Sequence, residues 1–274
     1  MSSDFQLLSS IRYDSSLRDL AWNTAANDGA PSSYLLLRYH YDRLRDAAQE
    51  HGWAAAQDVT YNNLARACDE AVRIAFRDNS LNDTPLKLRI LLNHTGMFAV
   101  SASPAASLNG PDPTSISLIT LNGDGAILED AASTILGSLL TIHLDTSPTP
   151  SSLFTRTKTT HRPQYTAART RMGIPPLPTP TNEDVLMYTP SGELTETSIR
   201  NIAFLRHTPP QWVTPRASIG CLSGVMRRWL LEQGRIVEAS EGELTKDEVV
   251  DGEYVMTFNG VEGCRLGRVT LASC

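Results

Sequence analysis

One lysine lies in a segment whose neighbours could prepare its amine for covalent chemistry. Residues 153–169 read LFTRTKTTHRPQYTAAR, which places Lys158 just after a short strand-like run and just before a helical run. A lysine held at the end of an element can be partly desolvated, which lowers its pKa and frees the amine to form an imine. By composition alone, a solvated surface lysine is the more ordinary interpretation.

Three further segments supply groups that would complement such a lysine. Residues 184–206 place a strand and a tight turn before Glu196, an acid that could pair with a protonated pyridine nitrogen. Gly224 opens a predicted helix, where free backbone N–H groups and the helix dipole favour a phosphate. Residues 253–269 end a strand with Asn259 and Gly260. A lysine, an acid and a phosphate site are the three features that a pyridoxal-phosphate protein must supply.

The order of these motifs resembles that of the class IV pyridoxal-phosphate enzymes. The matching motifs are KTT at 158–160, GELTETSxxN at 192–201, TPxxxxxxLSGV at 214–225 and TFNG at 257–260. The N-terminal stretch LLRYHYDRLRDAAQEHGW is similar to the first helix of that family. The resemblance spans roughly residues 5–269, and four motifs in the right order are more specific than any one of them.

The resemblance implies catalytic roles for Lys158 and Glu196 and a cofactor contact for Tyr165. Lys158 would be the Schiff-base lysine and the proton shuttle. Glu196 would keep the pyridine nitrogen of the cofactor protonated, and Tyr165 would reach the cofactor's phenolic oxygen. Glu193 is a rival for the role of Glu196, although it lies within the turn itself, where acidic residues are common without function.

The resemblance also implies a phosphate site. Arg43, from the first helix, and the backbone amides of Val225 and Met226 would bind the cofactor phosphate, with Asn259 beside the phosphate or the substrate. Many relatives have threonine at the position of Met226, so only a backbone contact would remain here. Arg43 could instead lie on an exposed helix face. Ordinary core or solvated positions are the alternative interpretation for Met226, Trp229, His161 and His207.

One branch of the family matches best. IRYD near the start and FTxxKTTxRxxYxxAR around the lysine are similar to fungal aminodeoxychorismate lyases, which form 4-aminobenzoate and pyruvate on the route to folate. The alternative is an aminotransferase that acts on branched-chain amino acids, D-amino acids or R-amines. The lyase substrate carries two carboxylates, and arginine suits planar carboxylates. Arg162, Arg156 and Arg12 are the predicted substrate contacts, and a helix-surface ion pair is the alternative for Arg162.

Bulk composition excludes several classes of protein. The chain has 274 residues, 41% hydrophobic content and a net charge of -6 with both signs interspersed, which predicts a globular protein without a nucleic-acid partner. Its start lacks a basic, then apolar leader, and no run approaches about 18 apolar residues, so we expect a soluble cytoplasmic protein. The scattered cysteines and histidines form no CxxC or HExxH motif, so no metal site is expected. A homodimer is implied by the resemblance alone.

The predicted elements favour an α+β protein with two domains. We expect a small α/β N-terminal domain at 1–145, a linker at 146–152 within DTSPTPSS, and a barrel-like C-terminal domain at 153–274 that carries the lysine, as in fold-type IV pyridoxal-phosphate enzymes. Helices are predicted at 33–52, 61–77 and 222–233, with a short one near 246. Strands are predicted at 5–13, 86–92, 97–101, 116–121, 139–144, 185–188, 202–206, 211–214, 235–239 and 253–257.

Overall fold

The computed structural model describes residues 5–79, 84–108, 110–119, 139–207 and 209–271. Its contacts divide the chain into two compact units. The N-terminal unit comprises residues 1–108 together with 157–161, and the C-terminal unit comprises residues 109–156 together with 162–274.

The N-terminal unit combines a three-stranded antiparallel sheet with helices. The strands follow the order β1 (Leu7–Tyr13), β2 (Leu86–Leu92) and β3 (Phe98–Pro104). The helices are α1 (Ala21–Ala26), α2 (Leu37–Glu50), α3 (Ala54–Gln57) and α4 (Tyr61–Asn79), with a 3-10 helix at Ser15–Asp19. The predicted strands at 5–13, 86–92 and 97–101 and both predicted helices of this unit are confirmed, with shifted ends.

Hydrophobic spacing explains why these segments form these elements. In β2 the residues Leu86, Leu88 and Ile90 are buried while Lys87 and Arg89 are exposed, which is the period of two expected of a strand with one covered face. Buried residues of α2 recur at helical spacing and pack against that face. The core includes Leu7, Ile11, Leu37, Leu44, Leu64, Val72, Leu86, Leu88, Ile90 and Leu92.

The C-terminal unit is built on one eight-stranded sheet. In chain order its strands are β4 (Leu140–Leu144), β5 (Glu183–Tyr188), β6 (Leu194–Thr197), β7 (Asn201–His207), β8 (Pro210–Thr214), β9 (Val237–Glu238), β10 (Tyr254–Asn259) and β11 (Gly263–Thr270). The spatial order is β6-β5-β4-β11-β10-β7-β8-β9. Its helices are α5 (Leu153–Arg156), α6 (Pro163–Arg171) and α7 (Val225–Glu232), with 3-10 helices at Ser115–Leu118, Ala217–Ile219 and Lys246–Glu248.

This sheet must curl. β6 is an edge strand and β7 is sixth in the order, so in a flat sheet they would lie roughly 24 Å apart, at about 4.8 Å per step. Only residues 198–200 connect the two strands, and four Cα–Cα steps span at most about 15 Å. The connection therefore brings the edge strand round toward β7, and the predicted barrel-like form of this part of the chain is confirmed.

Two predicted strands require correction. The segment predicted as a strand at 116–121 forms a 3-10 helix over Ser115–Leu118, because Asp112 caps a turn by accepting from the amide and hydroxyl of Thr114. Residues 120 and 121 lie outside the described residues. The strand predicted at 253–257 is not the last one. β11 follows it and lies at the middle of the sheet, where Gly267 packs against the main chain of Leu140.

The contact division differs from the boundary predicted at 146–152. β4 pairs in parallel with both β5 and β11, which places it in the C-terminal unit. Within the predicted linker, the amide of Thr149 donates to the carbonyl of Tyr188 at 2.8 Å, in the same unit. Residues 157–161 instead join the N-terminal unit, because they pair with β1.

Membrane-spanning helices and clusters of metal ligands are both absent from the described ranges. None of the helices there has the length and apolar character needed to cross a membrane. No three histidine, cysteine, aspartate or glutamate side chains in those ranges are grouped as metal ligands. Cys68, Cys221 and Cys264 are buried free thiols, and Cys274 lies outside the described residues.

Candidate active site

The segment that carries Lys158 is held by its main chain against β1. The amide of Leu8 donates to the carbonyl of Lys158 at 2.8 Å, and the amide of Thr160 donates to the carbonyl of Gln6 at 2.9 Å. The hydroxyl of Thr160 also accepts from the amide of Gln6 at 3.0 Å. Lys158 itself is half-buried. The lysine is thus fixed at its backbone on a sheet edge, rather than placed in an open surface loop.

A buried histidine lies close to this lysine, in the same unit. His40 is 0% exposed, and its Nδ1 lies 2.7 Å from the hydroxyl oxygen of Ser9. Arg43 donates to that same oxygen at 2.7 Å, so the serine hydroxyl links the histidine and the arginine. Burial, followed by the positive charges of Arg43 and Lys158, holds the pKa of His40 well below its usual value. The N-terminal unit therefore gathers two cations around a neutral imidazole.

The alternative interpretation of Arg43 places it on an exposed helix face. It is half-buried on α2 and reaches β1 through Ser9, so it does not lie on an exposed helix face. Sequence reasoning assigned no role to Ser9 or His40. A serine within the apolar run LLSSIRY, and a histidine three residues before the arginine, were the available signals.

In the C-terminal unit, Glu196 is a buried acid with several hydrogen-bond donors around it. Its side chain lies on β6, and the residue is 4% exposed. Oε1 accepts from the hydroxyl of Tyr165 at 2.7 Å and from the amide of Leu222 at 3.3 Å. Oε2 lies 3.4 Å from Nδ2 of Asn201. Burial, then the charge of Glu196, raises the pKa of Tyr165 well above its usual value.

Asn201 connects this acid to the start of α7. Its Nδ2 donates to the carbonyl of Leu222 at 2.9 Å, and its Oδ1 lies so close to Gly224 that a Cβ there would be 1.9 Å away. Glycine is therefore required at the N-cap of α7. The next amides, of Val225 and Met226, have no partner within the helix by its geometry, and such N–H groups favour an anion. The acid and the predicted phosphate site are thus neighbours in this unit.

A small pocket opens beside the acid, and Glu196 forms part of its wall. Hydroxyl-bearing residues and apolar residues share this wall, and most of the exposed lining surface is apolar. Gly220 packs against Ser151 so closely that a Cβ would lie 1.8 Å from the serine hydroxyl oxygen. The other lining residues are Thr149, Thr155, Met187, Thr195 and Ile219.

The rival acid has a different environment. Glu193 accepts from the guanidinium of Arg216 at 2.8 Å, and the sheet-edge bridge of its main chain to Thr245 holds the turn. Its charge is therefore balanced by a cation at the turn. Glu196 is more deeply buried and lies next to the helix N-terminus, which favours it as the functional acid.

The three arginines predicted to bind substrate lie in three different environments. Arg12 is 1% exposed, donates twice to Asp14 at 2.9 and 2.8 Å, and donates to the carbonyl of Ala106 at 2.8 Å. These donors are used within the N-terminal unit, and a contact of Arg12 with substrate stays a prediction. Arg156 is exposed at the end of α5.

The third, Arg162, stacks on an aromatic ring. Its guanidinium carbon lies 3.9 Å from the ring centroid of Tyr165, and it donates to the carbonyl of Ser198 at 2.7 Å. This arrangement is a cation–π contact with a main-chain hydrogen bond. The ion pair considered for this arginine is not what these contacts show.

The other residues singled out in the sequence lie in different local environments. Oδ1 of Asn259 accepts from the amides of Val261 and Glu262 at 2.8 and 2.9 Å, which closes the turn between β10 and β11. Met226 and Trp229 are buried, in agreement with their interpretation as core residues. His161 is exposed, and the side chain of His207 lies outside the described part of the chain. The hydroxyl of Tyr165, expected at a cofactor oxygen, donates to Glu196 instead.

The family model described as Amino-transferase class IV matches residues 24–267. The chain belongs to this family. Aminodeoxychorismate lyase of Saccharomyces cerevisiae is 34% identical over 200 residues, which cover 67% of this chain and 51% of that protein. A Schizosaccharomyces pombe relative is 48% identical over 77 residues, 28% of this chain and 32% of that protein. The matches therefore span about half and about a third of these curated relatives' lengths.

The fold is also that of solved class IV enzymes. The Escherichia coli branched-chain amino acid aminotransferase aligns with a TM-score of 0.59 at 15% identity, over 97% of this chain and 77% of that one. At this identity the likeness concerns the fold alone. It agrees with the fold-type IV architecture predicted from the sequence.

Proposed function

We propose that this class IV chain is a pyridoxal-phosphate-dependent 4-amino-4-deoxychorismate lyase, which forms 4-aminobenzoate and pyruvate. The observation that carries the proposal is the 34% identity, over 200 residues, to a yeast protein with that name. The half-buried Lys158 and the buried Glu196 support it, because the reaction needs a base and a partner for the cofactor ring.

The residues present fit pyridoxal phosphate in their chemistry. Glu196 is a buried carboxylate that would pair with the pyridine nitrogen, and the amides of Val225 and Met226 lie beside it at a helix N-terminus that suits a phosphate. The role of Arg43 as a phosphate ligand stays a prediction from the resemblance. When bound, the cofactor would delocalise the electron pair left on the substrate carbon after proton removal.

The chain's own residues would control the proton and the charge. Lys158 would take the proton from the substrate carbon that bears nitrogen. Its main-chain contact to β1 would fix the backbone position from which the amine extends. The neutral state of His40 avoids a third positive charge next to Lys158 and Arg43. Glu196, which accepts from Tyr165 and the amide of Leu222, would keep the pyridine nitrogen protonated.

The substrate would bring two carboxylates into the site. Arg162 and Arg156 remain the proposed partners, whereas the donors of Arg12 are used within the N-terminal unit. Replacing Arg162 by alanine should raise the KM for aminodeoxychorismate more than it alters the cofactor spectrum. Assembly as a homodimer, a place in folate synthesis and a cytoplasmic location stay predictions from the resemblance.

One assay separates the lyase from the alternative, an aminotransferase that acts on branched-chain amino acids, D-amino acids or R-amines. A lyase regenerates its cofactor in each cycle, whereas an aminotransferase needs a keto acid to restore it. With aminodeoxychorismate and no keto acid, the protein should release 4-aminobenzoate and pyruvate in equal amounts over many turnovers. If no 4-aminobenzoate forms, and D-alanine, a branched-chain amino acid or an R-amine bleaches the visible band, the chain is an aminotransferase.

A further inference from the structure

We infer that Tyr165 is a positioning residue for Glu196: its hydroxyl fixes one carboxylate oxygen so that the other, Oε2, meets the pyridine nitrogen of the cofactor. The inference rests on the proposed use of pyridoxal phosphate, and not on which substrate the chain accepts. It replaces the predicted role of Tyr165 at the cofactor's phenolic oxygen.

The two oxygens of Glu196 have different surroundings. Oε1 receives two donors, the Tyr165 hydroxyl at 2.7 Å and the Leu222 amide at 3.3 Å. A carboxylate oxygen has two lone pairs in its plane, so these donors fill Oε1. Oε2 lies on the side of Asn201, 3.4 Å from its Nδ2. Asn201 also packs against the glycine at the start of α7, where the phosphate is proposed to bind.

Tyr165 is itself held firmly enough to serve as a fixed donor. It is 3% exposed on α6, and the guanidinium of Arg162 covers its ring at 3.9 Å. Arg162 donates to the carbonyl of Ser198, two residues after Glu196. Two contacts, Arg162 with Ser198 and Tyr165 with Glu196, therefore join the first turn of α6 to the end of β6. Rotation of the carboxylate would break its bond to the buried hydroxyl of Tyr165.

The hydroxyl also keeps its hydrogen throughout the pH range in which enzymes work. Burial and the neighbouring carboxylate raise the pKa of Tyr165 well above its ordinary value. A tyrosine that stays protonated is a constant donor and cannot serve as the base of the reaction. Its single hydrogen is donated to Glu196, so we expect the hydroxyl to influence the position of that acid and not to contact the substrate.

The first test needs no activity and no bound cofactor. A buried hydroxyl bonded to a carboxylate exchanges slowly with water, so the purified full chain should show a protected hydroxyl proton by NMR. This signal should disappear in both Tyr165→Phe and Glu196→Leu, because leucine offers the hydroxyl no acceptor. Tyr34→Phe is the matched control, because Tyr34 is also buried and donates to a carboxylate, that of Asp69, at the same 2.7 Å. A signal that survives Glu196→Leu overturns the contact.

The second test asks whether the contact serves the cofactor. Tyr165→Phe should lower kcat by about 10- to 100-fold, the size expected for losing a hydrogen bond to a charged group, with little change in KM. The visible absorption band of the bound cofactor should shift in the same direction as in Glu196→Gln. In the Glu196→Gln background, adding Tyr165→Phe should change kcat by less than about 2-fold, because no charged acid is left for the tyrosine to orient.

The outcomes separate this inference from the proposed function. If the wild-type protein binds pyridoxal phosphate but releases no 4-aminobenzoate, the lyase proposal fails while the absorption band still tests Tyr165. If Tyr165→Phe leaves the band and kcat at wild-type values, or if its effect multiplies that of Glu196→Gln, the positioning role is overturned. Tyr34→Phe should match Tyr165→Phe in lost thermal stability but leave the band unchanged.

Discussion

The carbonyl of Lys158 accepts a hydrogen bond of 2.8 Å from the amide of Leu8 in β1. The contact uses only main-chain atoms, and the residues beside it extend the same pairing to Gln6 and Thr160. The segment is therefore held in place without help from the lysine side chain. Removing that side chain should test its chemistry with little effect on the fold.

The first prediction concerns covalent attachment of the cofactor. The protein should be purified with a visible absorption band, and borohydride should fix the cofactor to one peptide that contains Lys158. Lys158→Ala should lose the band and the label, while its circular dichroism spectrum and melting temperature stay close to those of the wild type. Mass spectrometry locates the label. A label on Lys87 or Lys246 would contradict the assignment.

The second prediction compares two acids three residues apart. Glu196→Gln should keep cofactor binding and lower turnover by about 100-fold or more, as expected when a preorganised electrostatic partner is lost. Glu193→Gln should retain turnover within about 2-fold, because Glu193 pairs with Arg216 at the turn. Steady-state kinetics on both variants measure the difference. Equal losses would mean that the turn as a whole, rather than the acid, supports catalysis.

Strands were predicted most accurately from the sequence where one continuous hydrophobic pattern runs along the whole element. β2 was predicted with its observed ends because leucine and isoleucine alternate with charged residues along it. β11 was missed because glycines at 263 and 267 interrupt the apolar pattern. Those glycines are needed by the neighbours, since a Cβ on Gly263 would lie 2.3 Å from the carbonyl oxygen of Pro113. Such requirements come from segments far away in the chain.

In the candidate site, too, local motifs were predictable and contacts between distant segments were not. Lys158 and Glu196 could be predicted because their motifs are continuous in sequence. The partner of Tyr165 could not, because Glu196 lies 31 residues later and meets it only when α6 packs beside β6. The pairing of Arg12 with Asp14 was not predicted either, because a spacing of two residues does not reveal that both side chains are buried.

The third prediction concerns a buried carboxylate that supports the turn after Glu196. Asp184 is 0% exposed and accepts from Ser198, Thr197 and Arg200 at 2.5 to 3.2 Å. Asp184→Asn removes the countercharge of buried Arg169 and one of the two carboxylates that pair with Arg200, so the free energy of unfolding should fall by about 3 to 5 kcal/mol. The exposed neighbour Glu183, changed to Gln, should cost no more than about 0.5 kcal/mol. Urea unfolding measures both, and equal losses would contradict the prediction.

The last prediction concerns the pH dependence of stability that His40 causes. Its pKa in the folded protein is well below the usual 6.5, because it is buried and faces the charges of Arg43 and Lys158. Below about pH 6.5 the unfolded chain binds a proton at this histidine that the folded protein does not bind. Stability from this residue is therefore fully present above that pH and is lost as the pH falls, by up to about 1.4 kcal/mol per pH unit.

His40→Gln removes the titrating group and keeps a polar side chain that can contact Ser9. Between pH 7.5 and 5, the free energy of unfolding should fall less steeply in this variant than in the wild type. The two slopes should differ by up to about 1.4 kcal/mol per pH unit, the value for one proton. His51, whose pKa is also lowered by burial, titrates in both proteins and so cancels in the comparison. His94→Gln, at an exposed position, should reproduce the wild-type slope. Equal slopes in wild type and His40→Gln would mean that His40 becomes charged within the folded protein, and that Arg43 and Lys158 lie too far away to prevent it.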